Sequence, residues 1–294
     1  MILYKYYGRA SGLKAIESRK LGFRKPGYFN DPFELTALSN AVGPQIKQET
    51  LQSRIETLKD QLAILCLTRS PFNPLMWAHY GENHEGLVIG YDVSGPFLNS
   101  PEYNLITVDS GDVLYTNTKT PFALNPESME SFLALYQRGF GADEQAIDQA
   151  LARKLLLTKH ACWVYEEEVR VVKRLTNFFM TAEDEQADPL RRYGQITRNL
   201  RPDEMPGVDF EEGYFVTAAN KSTLGLYLYE HQVPIREVYL GARNQYRDEP
   251  EFGELFQAGR DVFQMKVNPA SWHLEKIRLE APTDESHAPS NKRE

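Results

Sequence analysis

The chain predicts an α+β fold, with a mixed or mostly antiparallel central sheet and helices packed on it. Aromatic residues make up 12% of the 294 residues, with 16 Tyr and 15 Phe, and this content favours a strand-containing core over a helix bundle. Short apolar or alternating runs bounded by turn residues recur along the chain, as strands do. Strand–helix units of even length, which a doubly wound parallel sheet would repeat, are missing. Hydrophobic residues at 41% and charged residues at 25% are ordinary globular usage, so wholesale disorder is excluded. The reading is one elaborated domain over residues 1–279 and a disordered tail over 280–294, where apolar anchors run out.

The elements follow in order. Ile2 to Tyr7 is an apolar, aromatic strand. Ser11 is placed to cap a helix carrying Leu13 and Ile16, and Gly22 to end it. RKPGYFNDPFE (24–34) is turn-rich. Ile46, Leu51, Ile55, Leu58 and Leu62 mark one face of an amphipathic helix, which runs into the buried strand AILCLT (63–68). LMWAHYG makes one helical turn ended by Gly81, and GLVIGYD (86–92) and DVLYT (112–116) are strands. Residues 126–161 are helical by pattern, as two segments, 129–140 and 143–161. WVYEEEVRVVKR (163–174) alternates as a strand. Residues 181–212 hold three prolines and no steady period, which predicts a surface excursion. GYFVTAA (213–219), REVYLG (236–241), VFQMKV (262–267) and HLEKIRLE (273–280) close the fold as strands.

The net charge is −8, which argues against a surface made mainly to hold nucleic-acid backbone; it leaves room for a local basic groove, such as Arg191, Arg192, Arg198 and Arg201. Cys66 and Cys162 are the two cysteines and form no CxxC, so zinc knuckles and a disulfide framework are not expected. The N-terminus lacks the pattern of a signal peptide, and no apolar run is long enough to span a membrane. The expectation is a cytoplasmic bacterial protein without membrane partners.

Several clusters are candidates for chemistry. Period-2 alternation puts Glu166, Glu168 and Arg170 side by side on one face of the 163–174 strand. Such a set suits acid/base work, a hydrogen bond to a ribose hydroxyl, or a divalent cation; the plain alternative is a solvated, salt-bridging edge. In FNDPFE, Asn30 and Asp31 pin a turn that presents Asp31 or Glu34 rigidly. Trp77 and Tyr80 can stack a flat ligand such as nicotinamide, with His79 beside them. His79 and His84 have the wrong spacing for a zinc helix, and no metal is expected. The 29–34 loop, the 76–84 turn and the even-numbered face of 164–170 are expected to border one pocket.

Taken in order, LYKYY, FNDPFE, CLTRSPFNPLMWAHYGENHEGLVIGYD, KHACWVYEEEVR and REVYLG resemble a widespread bacterial family of unknown function. The MWAHY…G…IG.D and W.YE.E.R blocks are its specific parts. A Tyr-bearing first strand, a Phe-rich loop and a late E-x-E strand also look like the mono-ADP-ribosyltransferase superfamily. That likeness implies NAD as substrate and Glu168 as the carboxylate that stabilises the ribose cation, with Glu166 the first member of E-x-E. It also implies an aromatic near the nicotinamide, Tyr80 or Tyr4, with Lys5 and Arg9 as candidates for its early basic residue; Tyr6 and Arg170 are further candidate substrate contacts. The early His or Arg of that superfamily and its Ser-Thr-Ser strand are not matched here.

Three functions follow. The first is an NAD-using ADP-ribosyltransferase-like enzyme, a toxin or defence effector, with a nucleotide ligand and a macromolecular acceptor. The second is a binding module that uses the same aromatics and carboxylates. The third is a metal-dependent nuclease or phosphodiesterase with Asp31, Glu34, Glu166 and Glu168 around Mg²⁺.

Overall fold

The computed structural model describes residues 1–38, 48–101, 104–121, 149–174, 219–223 and 225–282. The 129–140 helix, the first part of the 143–161 helix, the 181–212 excursion, residues 213–218 and residues 283–294 lie outside them. The described elements begin with β1 (Ile2–Tyr7), α1 (Arg9–Ser18), β2 (Lys20–Arg24), α2 (Gln48–Gln61), β3 (Leu62–Thr68), α3 (Pro74–Tyr80) and β4 (Leu87–Asp92). They continue with α4 (Pro96–Asn99), β5 (Leu114–Thr116), α5 (Gln149–Leu156), β6 (Thr158–His160) and β7 (Glu168–Arg174). The last are β8 (Ala219–Thr223), β9 (Leu226–Gln232), β10 (Ile235–Leu240), β11 (Asp261–Val267) and β12 (Leu274–Arg278). The content is mixed α+β and the strand pairing mostly antiparallel, as the sequence predicts, with β10–β11 and β5–β6 pairing in parallel.

Two compact units interleave along the sequence. The first is built from Lys20–Arg69 and Val93–Val233. Its strands run β3-β2-β9-β8, with β7 also on β3. β7 and β3 pair in unbroken antiparallel register from Leu62 opposite Arg174 to Thr68 opposite Glu168. Leu51, Ile55 and Leu58 of α2 and Leu151 and Leu155 of α5 bury their apolar stripes with Ile64 and Val172. This is the amphipathic face that the sequence displays for α2. Gly111 lies so close to β7 that an added Cβ would sit 2.0 Å from the Arg170 carbonyl oxygen. Only a residue without a side chain allows that approach.

The second unit is built from Ile2–Arg19, Ser70–Asp92 and the chain from Pro234 onward. Its strand order is β12-β11-β10-β4-β1. α1 packs on β4 at Gly12, where a Cβ would meet Leu87 Cδ1 at 2.6 Å. Asn73 caps α3, its Oδ1 accepting from the Leu75 and Met76 N–H groups at 2.9 and 3.3 Å, and Pro74 takes the first helical position. Trp77 is fully buried, edge-on to Tyr6, and its indole N–H donates to the Pro71 carbonyl at 2.8 Å.

Local structure departs from the sequence reading in places. The helix expected up to Ala161 ends at Leu156, and Lys159 lies in β6. The strand expected over 163–174 starts only at Glu168, because Ala161–Glu166 form a 3₁₀ turn closed by Glu167 in the left-handed conformation, φ 44°. α1 starts at Arg9 with Gly8 as its cap, while Ser11 turns its hydroxyl back to the Gly8 carbonyl. Arg19, at φ 55°, ends that helix before Gly22, which lies inside β2.

Candidate functional site

The first unit gathers five charged side chains, each at most 6% exposed, from four separated segments. FNDPFE supplies Glu34. Asp31, buried here, accepts from the Phe33 N–H at 2.9 Å and so closes the turn expected of it, while Asn30 is exposed. β6 supplies Lys159, the 3₁₀ turn Glu166, and β7 Glu168 and Arg170.

Arg170 is completely buried, and all five of its N–H donors are used. Nε and Nη2 donate to the two oxygens of Glu168 at 2.8 and 3.2 Å. Nη1 and Nη2 donate to the two oxygens of Glu34 at 3.0 and 2.6 Å. Nη1 also reaches the Leu156 carbonyl, at 2.8 Å. Lys159 Nζ donates to Glu166 Oε2 and, at 3.1 Å, to Glu168 Oε2, and lies 5.0 Å from the centre of the Trp163 ring. The Tyr115 hydroxyl accepts the Glu168 backbone N–H at 2.9 Å.

Three carboxylates thus enclose two cations, a formal charge of −1 in nearly dry surroundings. Burial pushes the Glu168 carboxyl up, but Arg170 and Lys159 outweigh it and hold its pKa down to about 2. Burial lowers the Lys159 ammonium, and Glu168 and Glu166 more than reverse that. Arg170 is likewise raised by Glu168 and Glu34 against the effect of its burial. Half-buried Tyr115, Trp163 and Tyr165 surround the cluster.

The remaining sequence-predicted residues belong to the second unit. Tyr4 donates to Glu237 Oε2 at 2.8 Å, and Tyr239 to the same oxygen at 2.9 Å. Burial first, and then Glu237, push the Tyr4 phenol up to about 12. Lys5 lies over the Tyr7 ring, and Tyr6 donates to the Ser70 carbonyl at 3.1 Å. His79 is exposed and edge-on to Tyr80. Trp77 is committed to the core, with the His84 ring stacked 6.3 Å away.

Sequence reasoning missed a strained turn after Tyr80. Glu82, Asn83 and His84 carry φ values of 50°, 54° and 72°, three consecutive non-glycine residues in the left-handed region. Neighbouring groups hold them there. Glu82 Oε2 accepts the Arg9 N–H of α1 at 2.6 Å, the His84 carbonyl accepts from the Arg243 N–H at 2.9 Å, and Asn244 Nδ2 reaches the Gly86 carbonyl at 3.1 Å. Gly86 and Gly241 let the backbones close, since added Cβ atoms would lie 2.1 Å from the Tyr7 and His84 oxygens respectively. Glycines at both ends of ENHE were the available signal. Lys159 was missed as well; its signal was charge arithmetic, because three acids around one arginine call for another cation.

Residues 76–171 match a family model described as "Protein of unknown function (DUF2971)". The matched stretch runs from α3 into β7 and holds both the strained turn and Lys159, Glu166, Glu168 and Arg170. The chain matches no curated protein and no solved structure. Among the described residues, no helix is long and apolar enough to cross a membrane.

Proposed function

We propose that this chain is an NAD-using, ADP-ribosyltransferase-like enzyme in which Glu168 stabilises the transition state. The observation behind this reading is a carboxylate kept ionised although only 4% exposed. When the C1′–N bond of NAD breaks, nicotinamide leaves with the bonding pair and C1′ becomes cationic. An ionised carboxylate fixed in a dry site favours that charge more than the neutral ground state. An acceptor nucleophile then attacks C1′ and releases its proton. In this reading the ribose takes over the Glu168 oxygen that Lys159 now shares, and Tyr115, Trp163 and Tyr165 supply apolar walls.

A second reading, a non-catalytic binding module, is favoured by the same cluster: both Glu168 oxygens are already bonded by Arg170 and Lys159. The Mg²⁺ reading has less support, because Glu34 and Glu168 are spent on guanidinium and Glu166 on ammonium.

Nicotinamide release and NAD affinity, measured for wild type and Glu168→Gln with folding checked by near-UV circular dichroism, separate these readings. Loss of one preorganised charge should lower turnover by ~10²–10³ with a much smaller change in affinity. Equal turnover in the two proteins would remove Glu168 from catalysis. NAD binding without nicotinamide release would select the binding module.

A further inference from the structure

We propose that the outer edge of β12 docks an extended, acidic segment of a partner protein, which adds to the sheet of the second unit as one more antiparallel strand. Among the described residues, β12 ends that sheet. The Leu279 N–H donates to the Val262 carbonyl at 2.8 Å, and the His273 carbonyl accepts from the Asn268 N–H at 3.1 Å. Backbone direction alternates along an antiparallel strand, so the odd-numbered residues from 273 to 279 face β11. Leu274, Lys276 and Arg278 therefore turn their N–H and C=O groups outward, as the row of donors and acceptors that a further strand pairs with.

Charge selects the occupant. Lys276 and Arg278 are exposed and share one face, opposite Met265 and Phe263. Lys276 donates to the Tyr239 hydroxyl at 3.2 Å and lies 4.2 Å from the centre of the Phe263 ring. Arg278 pairs with the exposed Asp261 carboxylate, a surface contact that a partner's acid can take over at little cost. A second copy of the chain fits poorly. Two-fold antiparallel pairing centred at Glu275, Lys276 or Arg278 sets that residue against itself, and pairing centred at Ile277 sets Lys276 against Arg278. Like charges directly opposite destabilise a sheet, whereas two carboxylates spaced two residues apart meet both cations.

An apolar end completes the pattern. Val267 and Leu274 pair across the base of the β11–β12 hairpin, and Trp272 at its tip is fully exposed. Asn268 fixes this tip. Its Oδ1 accepts from the Ala270 N–H at 2.8 Å, its carbonyl from the Ser271 N–H at 3.3 Å, and its Nδ2 donates to Glu275. A tryptophan offered to water on a pinned hairpin gains burial from a partner. The incoming strand thus carries acids at i and i+2 and an apolar residue at i+4, the period of one strand face.

A fluorescein-labelled peptide, Thr-Glu-Val-Glu-Thr-Leu-Thr, titrated with the full chain by fluorescence anisotropy at constant ionic strength, tests the site. Saturable binding is expected, weakened ~10-fold or more by the double variant Lys276→Glu, Arg278→Glu and less by Trp272→Ala. The peptide with Lys in place of both Glu should bind the charge-reversed chain and not the wild type. Should that chain fail to fold by circular dichroism, the two peptides on the wild type give the charge test. Methylating the backbone nitrogens of both Glu should abolish binding, because those N–H groups face β12. Binding that tolerates this methylation would be charge attraction without strand addition, and overturns the site. So does the lack of saturable binding up to ~1 mM. A dimer of the chain alone in sedimentation, dispersed by Lys276→Pro, would give the edge to a second copy and overturn the acidic partner. The Lys276 N–H faces outward, so that proline removes no ladder bond.

Discussion

The two faces of β7 each bury a cation and deal with it in opposite ways. On one face Arg170, fully buried, is wrapped by Glu34 and Glu168 and raised further above its ordinary pKa. On the other, Lys173, 2% exposed, donates to the Phe97 carbonyl at 2.7 Å. Its Nζ lies 4.2, 5.6 and 5.8 Å from the ring centres of Phe97, Tyr229 and Phe23. Burial drives the Lys173 pKa well below its ordinary value. Arginine cannot shed its proton, so it must bring counter-charges inside; a lysine amine can lose its charge and keep one hydrogen bond. The Arg170 face is thus where fixed charge survives burial, and it is the face that carries the candidate chemistry.

Breaking the paired face should have the largest effect. Arg170→Met leaves Glu34 and Glu168 buried without their main counter-charge and should destabilise the protein by about 3–5 kcal/mol. Urea denaturation monitored by tryptophan fluorescence reads this directly. If the cost is electrostatic, adding Glu34→Gln and Glu168→Gln to Arg170→Met restores much of it, a non-additivity expected of groups in one network. A triple variant no more stable than Arg170→Met would mean that the arginine acts chiefly through packing.

Acid should open the same face without mutation. The folded pKa of Glu168 is about 2 against an ordinary 4.5, so the folded state binds its proton less readily than the unfolded state. Its contribution is fully present above pH 4.5 and is lost as pH falls toward 2, by about 3 kcal/mol from the size of the shift. Glu168→Gln should flatten that part of the stability–pH curve. An identical acid slope in the variant would assign it to other carboxylates.

Much of this face was legible in the sequence and its assembly was not. Glu34, Glu166, Glu168 and Arg170 announce themselves as charges set among aromatics. That Glu34 meets Arg170 across 136 residues is a product of topology, which no local pattern encodes. β6 is three residues long, too short to interrupt the helical period around Lys159. Residues 163–166 alternate like a strand but lie in a 3₁₀ turn, and a single left-handed residue, Glu167, is enough to start β7 afresh. β1, β3 and β4 were readable because they are mostly apolar or aromatic, with Lys5 the one charge inside β1 and Asp92 at the end of β4. β2 was not, because Gly22 and flanking charges interrupt its pattern. Lys173 carried no signal, since a lysine near the end of a strand usually faces water.

Removing the Lys173 charge is the mildest change and the sharpest test of the contrast. Lys173→Met keeps the unbranched stem among Phe23, Phe97 and Tyr229 and deletes the amine, giving up one hydrogen bond to the Phe97 carbonyl. That loss is worth about 1 kcal/mol, but the variant no longer has an amine whose charge opposes folding, so at pH 7 Lys173→Met should be no less stable than wild type. The pH dependence is the distinguishing feature. Because the folded pKa is depressed, the unfolded chain binds a proton here that the folded protein does not. Lys173 therefore opposes folding at pH values below its folded pKa by a constant amount, and stability rises with pH from there up to the ordinary lysine value of 10.5. Denaturation midpoints from pH 7 to pH 10, wild type against Lys173→Met, should diverge in favour of wild type as pH rises. Parallel curves would mean that Lys173 stays charged inside its aromatic surroundings. The two faces of β7 would then hold their cations in the same protonation state.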